Sequence, residues 1–141
     1  MLPPVRTNSL LTASAAVASI CLALVLAAPA TALARGEKDA RVSGTCGKGA
    51  ASQLRLKADD GEIEVELEVK SNRSGERWRV TLVHERRVVW RGQARTRSGS
   101  RSFRIRRSIP DFDGVDEVSA RASGPGGKTC HATTTLSGGR R

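Results

Sequence analysis

Aromatic residues are scarce in this 141-residue chain, which contains two tryptophans, two phenylalanines and no tyrosine. Proteins that bind single-stranded nucleic acids stack the bases on aromatic side chains, and this chain offers few such platforms. Its net charge of +10 can attract polyanions in general. The shortage of stacking side chains argues against nucleic acid among them, so we expect no nucleic-acid partner.

Histidine is also scarce, and its placement bears on catalysis and metal binding. His84 and His131 are the only histidines, and with so few cysteines they do not supply the closely spaced ligands of a metal site. A hydrolytic triad would need a histidine held by a carboxylate beside a serine or cysteine, and the G-x-S-x-G motif is absent. We expect both histidines at the surface, and we predict no catalytic residue, no metal site, no cofactor and no enzymatic activity.

Carboxylates do cluster in one segment, Asp111–Glu117, which reads "DFDGVDE". Calcium loops need several oxygen ligands from one short segment, but this spacing does not match an EF-hand loop. Aspartate is also favoured in turns. An ordinary connection between strands is therefore our interpretation, with calcium binding as the alternative.

Charge is missing from a long stretch near the N-terminus, because no charged residue occurs between Arg6 and Arg35. An apolar run, Leu10–Ala28, precedes the small-residue sequence Ala32-Leu33-Ala34. This order predicts a secretory signal peptide over residues 1–34 and an extracellular protein, either free or associated with the cell wall. A retained membrane anchor is the alternative, since the run is long enough to span a bilayer. We expect the protein to contact the membrane only through this signal segment, before the segment is cleaved.

The three cysteines divide between these two parts of the chain. Cys21 lies in the signal segment, so cleavage leaves Cys46 and Cys130 in an exported protein. Disulfides form and persist in oxidising compartments. We predict a structural Cys46–Cys130 disulfide that ties the N-terminal edge of the domain to its last strand, and two buried free thiols are the alternative.

Apolar residues recur with a period of two throughout the rest of the chain, which is typical of half-buried β strands. In "EIEVELEVK", residues 62–70, the aliphatic side chains face one way and the glutamates face the other. Six more segments share this pattern: "QLRLK", "RWRVTLVH", "RVVWRGQ", "SFRIRR", "EVSARAS" and "KTCHATTTL". Turn-rich sequence separates them. We predict an all-β fold, a seven-stranded antiparallel immunoglobulin-like β-sandwich over residues 35–136, with a flexible basic tail at 137–141.

The distribution of charge suggests which strands are neighbours. Residues 59–68 hold six acids and no base, whereas residues 86–110 hold nine arginines and no acid. In an immunoglobulin-type sandwich the second and fifth strands are adjacent, which would place the glutamates at 64, 66 and 68 against Arg104 and Arg106. Opposite charges across strands are stabilising. Two independently solvated faces are the alternative.

Two longer stretches carry a resemblance to known proteins. "SGTCGKGAASQLRLKADDGEIEVELEVKSNRSGERWRVTLVHERRVVWRG" and "VSARASGPGGKTCHATTTL" resemble small secreted actinobacterial proteins of unknown function. The resemblance covers about Val42 to Leu136. Its most specific parts are the sequences around the two cysteines and the "RWRVTL…VVWRG" hairpin. It implies an immunoglobulin- or fibronectin-III-like sandwich and an extracellular location, and it supplies no catalytic residue.

A run of arginines is the first candidate binding surface. An acid-free basic segment on an exported protein favours association with an anionic polymer, such as a cell-wall polyanion. The predicted polyanion-binding residues are Arg86, Arg87, Arg91, Arg95 and Arg97. A solvated face without a ligand is the alternative.

The hairpin is the second candidate surface. A two-residue turn at 85–86 would place Val83 opposite Val88 and Thr81 opposite Trp90, on the face away from the core. An exposed apolar group beside arginine is typical of a contact site for a protein or a glycan. This predicted contact set comprises Arg79, Val83, Val88 and Trp90. Folding of Trp90 over the sheet edge, into the core, is the alternative.

Three binding functions remain open for a monomeric domain of this kind. The first is association with anionic cell-surface polymers. The second is binding of another extracellular protein, as an adhesin or an enzyme inhibitor. The third is carriage of a small apolar ligand, which would require a preformed pocket.

Overall fold

The structure is a computed structural model that describes residues 38–137. The predicted signal segment, Cys21 and most of the predicted tail lie outside these residues. Between residues 38 and 137, no helix is long and apolar enough to cross a membrane.

The described chain is all-β. It forms β1 (Asp39–Ser43), β2 (Thr45–Cys46), β3 (Ala51–Asp59), β4 (Glu62–Lys70), β5 (Arg77–His84), β6 (Arg87–Arg95), β7 (Ser102–Pro110), β8 (Val115–Ser123) and β9 (Thr129–Ser137). One 3₁₀ turn, Pro125–Gly127, precedes β9. All pairings are antiparallel, and they build a first sheet of order β1-β3-β4-β7 and a second sheet of order β2-β9-β8-β5-β6.

Seven of these strands, β3 to β9, correspond to the seven predicted segments. The strand count itself was too low, because β1 and β2 were not predicted. β1 has only Ala40 and Val42 as its apolar pair, and β2 is two residues long. β2 is too short to show a period of two, and the alternation in β1 depends on one alanine and one valine, so the strand structure of both depends on pairing with β3 and β9.

Inward-facing residues of both sheets form one hydrophobic cluster. On β4, the predicted alternation is confirmed, because its four aliphatic side chains are buried and its glutamates face outward. Trp78 on β5 is fully buried, with its ring centroid 6.0 Å from that of Phe103 on β7. Each buried large side chain contributes about 1.5–3 kcal/mol to the free energy of folding, so this cluster is the main support of the two sheets.

The charge-based prediction of neighbouring strands is also confirmed. β4 pairs with β7, with Glu66 opposite Arg106 and Glu68 opposite Arg104. The Arg106 Nε atom lies 2.6 Å from Glu66 Oε2, and the Arg104 Nη2 atom lies 2.7 Å from Glu68 Oε2. Because these groups are solvated, each pair contributes little to the stability of the fold. Their larger effect is to neutralise the outward face of the first sheet.

The two ends of the described chain are joined by the predicted disulfide. Cys46 on β2 and Cys130 on β9 are directly opposite each other in the second sheet, with their Cα atoms 4.2 Å apart and their sulfurs bonded. The Cys46–Cys130 prediction is therefore confirmed.

The β5–β6 hairpin differs from its prediction in register. Its turn at 85–86 is formed by two residues of positive φ, and Val83 is opposite Val88 as predicted. A β-bulge then shifts the pairing, so that Trp90 lies opposite Leu82 instead of Thr81. One extra residue in a strand moves all later side chains to the other face. The predicted pairing of Trp90 is therefore wrong, and its half-buried ring packs against the core at the sheet edge, which was the alternative.

Candidate functional site

The outward face of the second sheet carries five exposed arginines. The alternation that buries Trp78, Val80 and Leu82 on β5 turns their neighbours in sequence outward, and β6 and β8 follow the same pattern. We name these five residues the basic face: Arg77, Arg79, Arg91, Arg95 and Arg121.

Strand pairing brings these arginines together from distant parts of the chain. Arg91 on β6 and Arg121 on β8 are both opposite Thr81 on β5, so they lie in one row. Because neighbouring strands are about 4.8 Å apart, their Cα atoms are roughly 10 Å from each other. Arg77 lies directly opposite Arg95. Opposing like charges are destabilising, so this arrangement is not explained by stability of the fold.

The basic face is not neutralised by the protein itself. Within residues 38–137, none of its five guanidinium groups forms an ion pair with a carboxylate. The first sheet differs: a hydrogen bond that Arg104 donates to Glu68, together with the charge of Glu66, raises the pKa of Arg104, and a hydrogen bond donated to Asp39 raises the pKa of Arg55. The two sheets thus have opposite electrostatic character on their outward faces, one compensated and one basic.

The predicted polyanion-binding residues do not form one surface. Arg91 and Arg95 lie on the basic face. Arg86 lies in the β5–β6 turn, Arg87 is the first residue of β6, and Arg97 lies in the β6–β7 connection. No pattern in the sequence groups Arg91 and Arg95 with Arg77, Arg79 and Arg121. The outward position of each arginine could be read from alternation, but their common surface depends on which strands pair.

The predicted contact set is divided between the two faces of the second sheet. Val83 and Val88 are opposite each other on the outward side, and Val88 is 46% exposed. Trp90 lies on the inward side, where the Arg107 guanidinium sits 4.5 Å from its ring centroid. This cation–π contact connects the edges of the two sheets, β6 and β7. Trp90 therefore helps to close the gap between the sheets.

The surface position expected for His84 is wrong. Its imidazole is 1% exposed, its Nε2 atom lies 2.5 Å from Asp116 Oδ1, and the ring of Phe112 stacks on it with centroids 4.9 Å apart. His84 does lie directly before the β5–β6 turn, but Phe112 in the β7–β8 connection folds over it and buries it. His131, in contrast, is exposed on β9 as expected.

The His84–Asp116 pair has some of the groups that catalysis or metal binding would need. Glu85 is close enough for the three side chains to place one ligand atom each within 4.8 Å of one another. Metal–ligand bonds of about 2.0 Å hold two ligand atoms roughly 3 Å apart. The imidazole and the carboxylate are closer than that, so in this arrangement they bind each other and leave no space for an ion between them. Phe112 also separates the pair from solvent.

A second buried charged group lies at the opposite end of the strands, between the β4–β5 and β8–β9 connections. Lys128 is 9% exposed, and its Nζ atom contacts Glu76 Oε1, Asn72 Oδ1 at 2.9 Å and Ser71 Oγ at 3.4 Å. Burial raises the pKa of Glu76, but hydrogen bonds from Lys128 and Ser71 and the lysine charge outweigh it, so the net shift is downward. A cavity of about 630 Å³ opens beside this group.

No family model, curated protein or solved structure matches this chain. Its function must therefore be inferred from the arrangement of its own residues.

Proposed function

We propose that this protein is a secreted, non-catalytic binding module that associates with anionic cell-surface polymers through the basic face. The observation that carries this proposal is the group of five exposed arginines that lack carboxylate partners within the described chain. A polymer with regularly repeated negative charges can contact several of them at once and release the counterions that they hold. No single deep pocket is needed for that kind of recognition.

The location and the finer fold class are part of the same proposal. The disulfide supports an extracellular location, since such bonds persist in oxidising compartments. The β3-β4-β7 and β9-β8-β5-β6 orders, with a buried tryptophan on β5, support an immunoglobulin-like sandwich.

A second candidate function is recognition of another protein at the β5–β6 hairpin. The bulge leaves Val88 and Val89 exposed at 46% and 39% beside the turn. A small apolar group with arginines around it is typical of the centre of a protein contact. The carrier hypothesis receives no such support, because both cavities described are lined by loop or charged residues and not by the core.

Co-sedimentation of the exported protein with purified cell walls, across a salt series, tests the leading proposal. The variant Arg91→Ser/Arg121→Ser removes two charges from the basic face. We expect wild-type binding at low salt that weakens as salt is raised. In the variant we expect at least a tenfold weaker association, because two of the five arginines of the basic face are lost.

The matched control is Arg104→Ser/Arg106→Ser, which removes the same charge from the first sheet. This control should bind like the wild type if the basic face is the site. An equal loss in both variants would show that binding follows net charge alone. Absence of wild-type binding at low salt would contradict the proposal, and would direct the search to the Val88–Val89 surface.

A further inference from the structure

Three reactive groups meet where the buried Lys128 side chain contacts the half-buried Glu76 and the exposed Asn72. The lysine supplies a primary amine, Asn72 supplies a carboxamide whose oxygen is 2.9 Å from that amine, and Glu76 supplies a carboxylate in contact with it. Lysine is rarely buried to this extent unless it is paired. An ion pair alone would account for Glu76, but it does not require a carboxamide at the same nitrogen.

We propose that Lys128 and Asn72 become joined by an isopeptide bond, with Glu76 acting as the proton acceptor and donor. Lysine is a competent nucleophile once it loses its proton. The carbon that it would attack is bonded directly to the oxygen that it already contacts. A carboxamide is a weak electrophile, but holding the two groups together is equivalent to an effective concentration of about 10⁵–10⁸ M.

The balance of the reaction needs no other reactant. The Lys128 ammonium gives one proton to Glu76, and the free amine attacks Asn72 Cγ. The new Nζ–Cγ bond forms as the Cγ–Nδ2 bond breaks. The departing nitrogen takes the second lysine hydrogen to become ammonia, and the proton on Glu76 then converts it to ammonium. Glu76 ends as a carboxylate, and no atom is oxidised or reduced.

The surroundings fit a slow reaction that happens once. The lowered pKa of Glu76 means that its carboxylate is the resting form, so the proton transfer that starts the reaction is unfavourable and the reaction is slow. Burial nevertheless favours transfer of a proton within a contact pair, because it removes both charges from a poorly solvated site. The cavity beside the group is lined by Asn72, Glu76 and Lys128 among others, and it gives ammonia a path to solvent.

Mass spectrometry of the exported protein tests the bond directly. Its formation lowers the intact mass by one ammonia molecule. Trypsin cleaves after unmodified lysine, so a modified Lys128 survives digestion. After reduction of the disulfide, we expect a branched peptide in which Ser71–Arg73 is attached to Ala122–Arg140 through the side chains of Asn72 and Lys128.

Three variants separate the roles of the groups. Lys128→Arg removes the nucleophile. Glu76→Gln removes the proton acceptor but keeps the amine and the carboxamide. Both variants should therefore have the mass calculated from their sequences, without loss of ammonia. Lys48→Arg is the matched control, because the Lys48 Nζ atom donates a hydrogen bond to the backbone oxygen of Gly126, in the β8–β9 connection, and not to a carboxamide. It should form the bond like the wild type.

The tryptic digest of the wild-type protein tests for the isopeptide bond even if a variant fails to fold. Cleavage after Lys128, together with a free Ser71–Arg73 peptide, would overturn the proposal. Bond formation in Glu76→Gln at the wild-type rate would remove Glu76 from the mechanism. Neither result depends on polymer binding, which involves other residues.

Discussion

At the scale of single residues, buried charge is held by specific partners. His84 and Asp116 contact each other on two different strands, and the second oxygen of Asp116 is buried without a hydrogen-bond partner. A buried carboxylate is costly unless it is paired. Replacement of either residue should therefore destabilise the fold.

Substitution His84→Leu tests this dependence. It leaves the Asp116 carboxylate buried without its imidazole, and we expect the free energy of unfolding to fall by about 3–5 kcal/mol. The matched control is His131→Leu, at an exposed position, where a change of no more than about 0.5 kcal/mol is expected. Urea unfolding of the two variants measures both values. Equal stabilities would contradict the assigned role of His84.

At the scale of elements, the β6 edge depends on one close approach. The Trp90 ring lies across Gly92, two residues along the same strand, and a Cβ atom built on Gly92 would be 2.2 Å from the ring carbon Cζ2. No ordinary contact is that short. Absence of a side chain at this position is what allows the ring to lie flat between the sheets and beneath Arg107.

The variant Gly92→Ala should therefore displace Trp90. We expect a loss of about 1–3 kcal/mol of stability from overpacking, together with a change in tryptophan fluorescence. Gly99→Ala serves as its control, because a Cβ at Gly99 would meet nothing within 4 Å. If both variants unfold at the same denaturant concentration, the close approach has no structural role.

The β5–β6 hairpin contains a feature that the sequence does not predict, which is the orientation of Trp90. Alternation was sufficient to predict β3 to β9 as strands, and it gave the correct inward face for all of them except β6. A bulge adds one residue without disturbing the local pattern, so the reversal of Trp90 could not be read from "RVVWRGQ". His84 was misplaced for a similar reason, since its cover comes from Phe112 on a distant connection. The basic face depends on the pairing of β5 with β6 and β8, which composition alone does not determine.

At the scale of the whole molecule, the disulfide closes a long part of the chain. Cys46 and Cys130 are separated by 84 positions in sequence. Closure of a loop of this length reduces the entropy of the unfolded chain, and native disulfides of this kind contribute about 2–5 kcal/mol.

Replacement of both cysteines by serine should lower the free energy of unfolding by that amount. The expected cause is a less restricted unfolded state, so polymer binding by the folded variant should be unchanged at low temperature. Thermal unfolding with and without reductant measures the effect. A wild-type transition that does not respond to reduction would argue against a stabilising disulfide.

The unequal outward faces of the two sheets have a mechanical consequence. A body that is neutral on one side and cationic on the other has an electric dipole across its thickness, and the field of an anionic surface exerts a torque on it. Molecules arriving at a polymer would therefore turn before contact and settle in the same orientation. The glutamate-bearing face would then point outward on every copy, and a coated surface would present that face alone to whatever approaches next.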